Sequence, residues 1–227
     1  ERFPPDVEHV ISEAKSATLV SPMGTRHRIV RDKTQALIIN RVAYVNALAR
    51  RAMAAGAAYE LGSRVAKVEI SKEGVSVLTT GGEGQDCYRS SIVIVASGFG
   101  TPLLKMVGLQ NGRRLDYMVG SQAEVEVDGL EDTEVYIGKD IAPGSFGWLV
   151  PVSDSSALIG IVARGGLNGH MGKFISNLKD SGRVRGVIKE PSRWGVPLKP
   201  LSKTFRDRVL VVGDAAGLVK PTTGGGI

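Results

Sequence analysis

Cysteine is nearly missing from this chain: Cys87 is the single one in 227 residues, and aromatic residues make up only 5%. A lone thiol excludes an internal disulfide framework and any metal site built from several cysteines, and it suits a reducing, cytoplasmic setting. No apolar run approaches the ~20 residues that a membrane-spanning helix needs. No secretory leader is recognisable. Scarce aromatics also weaken a nucleic-acid reading, because nucleic-acid binders usually interleave basic clusters with rings or carry a named motif. Lys and Arg number 29 against 23 Asp and Glu, a formal net charge of +6. The densest basic cluster is Arg26, His27, Arg28, Arg31 and Lys33, with further clusters at Arg50-Arg51 and at Lys203, Arg206 and Arg208. These read either as solvated faces or as attraction to anionic phosphates or an anionic membrane surface. Glycine is in excess, 29 residues or about 13% against roughly 7% in typical proteins, which points to tight turns and close backbone approaches. Charged residues at 23% and apolar residues at 42% are ordinary globular usage. The length allows one large domain or two small ones with a sizeable core. The chain opens Glu1-Arg2-Phe3 without Met and stops at Gly224-Gly225-Gly226-Ile227, so both ends read as cuts inside a larger protein.

Alternating patterns predict short strands at Ala17–Val20, Arg28–Val30 and Gln35–Ile39. Asn40 is placed to cap a helix from about Arg41 to Ala55, with Val42, Val45, Leu48, Ala49 and Ala52 at helical spacing and Gly56 as the stop. A meander follows over Val65–Ile70, Gly74–Thr79 and Gln85–Tyr88, turning at Gly81-Gly82. Ile92–Ala96 is an unbroken apolar run of the kind buried on both faces of a parallel sheet, and Arg208–Val212 is another. Between them, strands are expected at Gln122–Val127, Glu134–Ile137, Phe146–Val152 and Leu158–Val162, with a helix near Met171–Lys179. Two buried strands separated by half-exposed antiparallel ones suggest two interleaved domains.

The densest functional constellation is Val209-Leu210-Val211-Val212-Gly213-Asp214-Ala215-Ala216-Gly217, followed by Pro221-Thr222-Thr223-Gly224-Gly225-Gly226-Ile227. The strand delivers Gly213 and Asp214 to the carboxyl edge of a sheet, where open α/β proteins bind ligands. Asp214 can accept a hydrogen bond from a ligand hydroxyl, and the glycines can bring backbone N–H groups to an anionic atom. A plain strand-to-helix turn with a capping Asp is the structural alternative. The run resembles the second FAD-binding motif of flavoproteins built like p-hydroxybenzoate hydroxylase. That resemblance implies that Asp214 holds the ribitol chain, that Gly213 is among the cofactor contacts, and that Pro221, Gly224, Gly225 and Gly226 lie at the isoalloxazine. Asn40-Arg41-Val42-Ala43-Tyr44 is similar to the family's Arg-containing helix start, which implies a nucleotide contact for Arg41, although Asn40 replaces the usual acid. Ile92–Ala96 with Ser97-Gly98-Phe99 resembles the family's Ala-Asp-Gly turn, with Ser97 where Asp is usual.

Pro143-Gly144-Ser145-Phe146-Gly147-Trp148-Leu149-Val150-Pro151 is similar to the Pro-x-x-Tyr-x-Trp-x-Phe-Pro motif of geranylgeranyl reductases, with Phe146 for the Tyr and Val150 for the Phe. Period-2 spacing puts Phe146, Trp148 and Val150 on one strand face. That face is either an ordinary core surface or, as the resemblance implies, a substrate-binding wall for an isoprenoid. Phe146 lacks the hydroxyl a proton donor would need, so no catalytic residue is named. The resemblance covers the chain from about Lys15 onward, and the Gly-x-Gly-x-x-Gly turn that holds the FAD pyrophosphate is not in these 227 residues. Cys87 reads as a small half-buried hydrophobe. His9, His27 and His170 show no metal-ligand spacing, and no metal is assigned.

The expected fold class is α+β, a flavoprotein fragment with an antiparallel substrate-domain sheet and parts of a Rossmann-like FAD domain. Residues 1–38 and 113–196 are assigned to the substrate domain, 39–112 and 197–227 to the FAD domain. The resemblance implies an FAD-dependent oxidoreductase that reduces isoprenoid double bonds. Its partners would be a hydrophobic small-molecule substrate and an electron donor, reduced nicotinamide or ferredoxin-like. A cytoplasmic location is expected, peripheral membrane contact is a further option, and no nucleic acid is. Three rivals stay open: a flavin monooxygenase or halogenase, a relative of electron-transfer-flavoprotein:quinone oxidoreductase, and a non-enzymatic β-rich binding module.

Overall fold

The computed structural model describes residues 3–81, 84–110, 116–167 and 169–220. After a 3-10 turn at Val7–His9 come β1 (Val10–Ala14), β2 (Ser16–Val20), β3 (Arg26–Val30), β4 (Ala36–Ile39) and helix α1 (Arg41–Ala54). Then follow β5 (Arg64–Ile70), β6 (Val75–Gly81), β7 (Gly84–Ser90), β8 (Val93–Val95) and the short α2 (Leu103–Met106). The remaining elements are β9 (Tyr117–Glu126), β10 (Thr133–Ile137), β11 (Phe146–Pro151), β12 (Ser156–Arg164) and α3 (His170–Asp180), then β13 (Gly186–Pro197), β14 (Phe205–Arg206), β15 (Val209–Val211) and a 3-10 turn at Gly213–Ala216. No helix among the described residues is long and apolar enough to cross a membrane.

The chain divides into two compact units, one of residues 1–58 and 119–193, the other of 59–118 and 194–227. Helix α1 and the residues down to 58 therefore group with the first unit, whereas the sequence reading assigned them with residues 39–112. The first unit is built on a seven-stranded sheet in the order β13-β9-β12-β11-β10-β2-β3. It is mixed rather than antiparallel throughout, because β2 runs parallel to β10. Helix α3 covers one face. Met171, Phe174, Ile175 and Leu178 lie at the i, i+3, i+4 and i+7 positions of one stripe, and all four are buried. They meet Ala123, Val125, Leu149, Ile159 and Ile161 from the sheet. The Phe174 ring packs edge-on to Tyr136 with centroids 5.0 Å apart. Burying a side chain such as Phe174 contributes about 1.5–3 kcal/mol. β1 and β4 form a separate two-stranded ribbon. Asn40 caps α1 as its position suggests, its side-chain oxygen accepting from the Ala43 N–H at 3.1 Å.

Two three-stranded sheets build the second unit, β5-β6-β7 and β14-β15-β8. The two apolar runs do not read as fully buried strands. β8 and β15 pair in parallel with Val95 opposite Val211 and Ile94 opposite Leu210. Val95, Val209 and Val211 join Leu104, Val107 and Leu109 in a core, while Ile92 and Ile94 are 53% and 57% exposed. A strand alternates its side chains, so covering one face buries only every second residue. Cys87 is exposed rather than half-buried, because β7 is an edge strand open along its whole length.

Candidate functional site

The three β11 residues expected to share a strand face do so in the first unit. Strand alternation separates Leu149, fully buried against the α3 side, from Phe146, Trp148 and Val150, which are half-buried on the opposite face. Phe146 and Trp148 lie with ring centroids 6.0 Å apart, tilted by 56°. The register places Trp148 opposite Gly160 on β12 and opposite Val135 on β10. A Cβ at Gly160 would sit 2.2 Å from the indole Cζ2 and 2.8 Å from the Ser121 carbonyl oxygen, so the ring packs against bare backbone. The indole Nε1–H donates to Gln122 Oε1 at 3.2 Å. Gln122 and Gly160 went unassigned in the sequence. An isolated glycine inside the apolar run Leu158–Ile161 was the readable signal, since such a glycine marks close approach of another group.

Towards its β3 edge, the α3 face of the same sheet carries a charged cluster. Glu134, 2% exposed, accepts hydrogen bonds from Arg26 on β3, from Arg183 after α3, and from the Tyr136 hydroxyl. Burial, and then the Glu134 carboxylate, push the Tyr136 phenol well above its ordinary range. These contacts tie the edge strand to the core.

In the second unit β8 and β15 are parallel, so both carboxyl ends emerge at one edge. Asp214 follows β15 directly, at the first turn of the 3-10 segment, and it is exposed. Among the described residues no side chain engages its carboxylate. Gly213 takes φ of +59°, and open space surrounds the position a Cβ would fill. Gly217 takes φ of +72°, and a Cβ there would strike the Lys199 carbonyl oxygen at 2.3 Å. Small buried Ala215 and Ala216 continue the turn. At the end of β8 the Ser97 hydroxyl donates to Thr101 Oγ1 at 2.8 Å, so the loop partly satisfies itself. An exposed carboxylate and bare backbone at one carboxyl edge fit the ribitol contact expected of Asp214.

Arg41 opens α1 in the first unit and is exposed, while Gly213 and Asp214 belong to the second. Pro221, Gly224, Gly225 and Gly226 lie outside the described residues. One group of metal-ligand type is brought together among the described residues: Asp6, Glu8 and His9 place ligand atoms within 4.8 Å of one another. His9 is buried against Tyr44, ring centroids 6.0 Å apart.

Comparison with known proteins places these features. Residues 2–167 match the family described as FAD dependent oxidoreductase. Digeranylgeranylglycerophospholipid reductase of Methanococcus vannielii is 32% identical over 233 residues, covering 98% of this chain and 59% of that protein. The enzyme of the same name from Methanocaldococcus jannaschii is 29% identical over 98% of this chain and 59% of its own length. The chain thus spans about three fifths of the curated relatives it matches. Among solved structures, a geranylgeranyl bacteriochlorophyll reductase-like protein from Thermoplasma acidophilum superimposes with a TM-score of 0.84 at 24% identity, over 99% of this chain and 60% of that one. The flavin-dependent halogenase CmlS superimposes with a TM-score of 0.73 at 17% identity, over 96% and 43%. These structural likenesses carry the fold alone.

Proposed function

The chain belongs to the FAD dependent oxidoreductase family, and on that premise we propose that the protein saturates carbon–carbon double bonds of an isoprenoid lipid. The observation that carries this reading is the half-buried aromatic row of β11, an apolar wall left partly open on the sheet face opposite α3. The monooxygenase and halogenase reading has only fold likeness behind it. Reduced FAD, when bound, supplies the hydride equivalent that alkene saturation needs. Asp214 accepts a hydrogen bond from the ribitol chain, and Gly213 leaves the backbone bare beside it. The assignments of Arg41, Pro221, Gly224, Gly225 and Gly226 as cofactor contacts rest on the sequence resemblance. Phe146, Trp148 and Val150 hold the isoprenoid against the sheet and keep water from it. Gln122 and Gly160 hold the Trp148 ring in place. Phe146 has no acidic proton, so the proton comes from water or from a group elsewhere. The electron donor is a reduced nicotinamide or a ferredoxin-like protein, and the setting is cytoplasmic with peripheral contact to membrane.

The test is anaerobic turnover. Full-length protein reduced with dithionite and given a geranylgeranyl lipid should yield a product heavier by two hydrogens for each bond saturated. A protein that leaves the prenyl chain intact and instead hydroxylates or halogenates an aromatic acceptor in air would replace this reading with the rival one.

A further inference from the structure

We infer that the open face of the seven-stranded sheet is a track for an amphiphile, with an isoprenoid chain lying across the strands from Trp148 to the edge strand β3 and an anionic headgroup meeting the basic residues there. The inference rests on the reading of the β11 wall given under Proposed function, and it adds a direction and a second end to that site.

Register carries the argument. Gly160 pairs with Trp148, Trp148 with Val135, Val135 with Leu19, and Leu19 with His27. Residues directly opposite one another in a sheet share a face, so these five form one row across β12, β11, β10, β2 and β3. At ~4.8 Å between strands, the stretch from Trp148 to His27 spans roughly 14 Å. A second line runs beside it, with Val150 opposite Leu158, Thr133 opposite Ala17, and Ala17 opposite Ile29. Leu19, Val135, Trp148 and Val150 are all half-buried and Ile29 is 47% exposed, whereas Val20, Tyr136 and Leu149 on the α3 face of β2, β10 and β11 are buried. A contiguous apolar stripe that the described fold leaves partly wet has the shape of a long, thin ligand rather than of a compact ring.

Charge decides which end the headgroup takes. The row terminates at His27 on β3, and just past the end of that strand Arg31 and Lys33 are exposed and, among the described residues, form no salt bridge. Arg26 and Arg28 lie on the alternate positions of β3 and are held by Glu134 and Asp132. Lys15 lies beside them, its carbonyl oxygen accepting from the Arg31 N–H at 2.9 Å. At the Trp148 end the row meets Gly160 and the Gln122 amide, which carry no positive charge. An anionic headgroup is therefore drawn to His27, Arg31 and Lys33.

Geranylgeraniol and geranylgeranyl diphosphate share a chain and differ in headgroup charge, so their binding to the full-length protein, followed by titration calorimetry, separates the two halves of the inference. Leu19→Gln should weaken both probes about fivefold through lost apolar contact. Arg31→Gln/Lys33→Gln, in an exposed segment where the fold is not at stake, should weaken the diphosphate about tenfold, leave the alcohol unchanged, and lose its effect at high salt. Trp148→Ala should weaken both probes. If Trp148→Ala weakens binding while Leu19→Gln and the charge pair do not, the track is wrong and the wall reading survives. If the charge pair has no effect on the diphosphate, the headgroup lies elsewhere and the inference falls. If neither probe binds the wild-type protein, or Trp148→Ala changes nothing, the wall reading falls with it.

Discussion

Gly160 makes room for Trp148 because it offers no side chain where the indole packs. Gly160→Ala would put a methyl group 2.2 Å from the ring and 2.8 Å from a backbone carbonyl oxygen, so either ring or strand must move. Overpacking of this kind costs about 1–3 kcal/mol. Urea unfolding should show that loss, and a variant as stable as the wild type would mean that the ring is not confined there. Asp132 offers a second test at the same scale. Hydrogen bonding from Arg28, opposed by partial burial and reinforced by the Ser16 hydroxyl, holds its carboxyl below the usual carboxylate range. A depressed folded value favours the folded state above the unfolded pKa of ~3.9, and the benefit is lost as pH falls through the lower value. The stability gap between wild type and Asp132→Asn should therefore be widest near neutrality and shrink in acid. Melting temperatures measured from about pH 7 down to about pH 3 check this, and a gap that stayed constant would show that the carboxylate charge contributes nothing.

Elements here owe their stability to quite different sources. Helix α3 is held by four buried apolar residues, whereas α1 buries none and depends more on its ends. Asn40→Ala removes the acceptor for the Ala43 N–H and should cost about 1 kcal/mol. Amide exchange in the first turn of α1 should speed up while α3 is unaffected; unchanged exchange would mean that contacts outside the cap hold the helix start. Strand β3 is exposed at all five residues, an edge that its arginines keep from pairing with another chain. Its ladder to β2 is reinforced by the carboxylates on and beside β10, Glu134 and Asp132, reached by Arg26 and Arg28. The basic cluster is thus partly solvated surface, as composition suggested, and partly a structural clasp, which composition did not reveal.

At the scale of the whole molecule, two units carry different parts of one proposed function, the apolar wall in one and the Gly213-Asp214 edge in the other. On the proposed reading, Asp214→Ala in the full-length protein should weaken FAD retention, since a hydrogen bond to a charged group is worth roughly 1.5–3 kcal/mol. Flavin content after dialysis is the measurement, and full retention would remove Asp214 from the cofactor contact. Local patterns settled much of this in advance: the cap at Asn40, the α3 stripe, the β11 alternation that sets Trp148 apart from Leu149, and the turn after β15. Each depends on residues a few positions apart, where backbone geometry alone decides which side chains share a face. Tertiary structure decided what spacing cannot express. It covered one face of β8 and β15 and left Ile94 open, exposed Cys87 on an edge strand, and ran β2 parallel to β10. It also brought Arg26, Arg183 and Tyr136 to Glu134 across up to 108 positions of sequence. Pairing between distant strands follows from which faces can be buried together, and that is a property of the assembled sheet rather than of any segment.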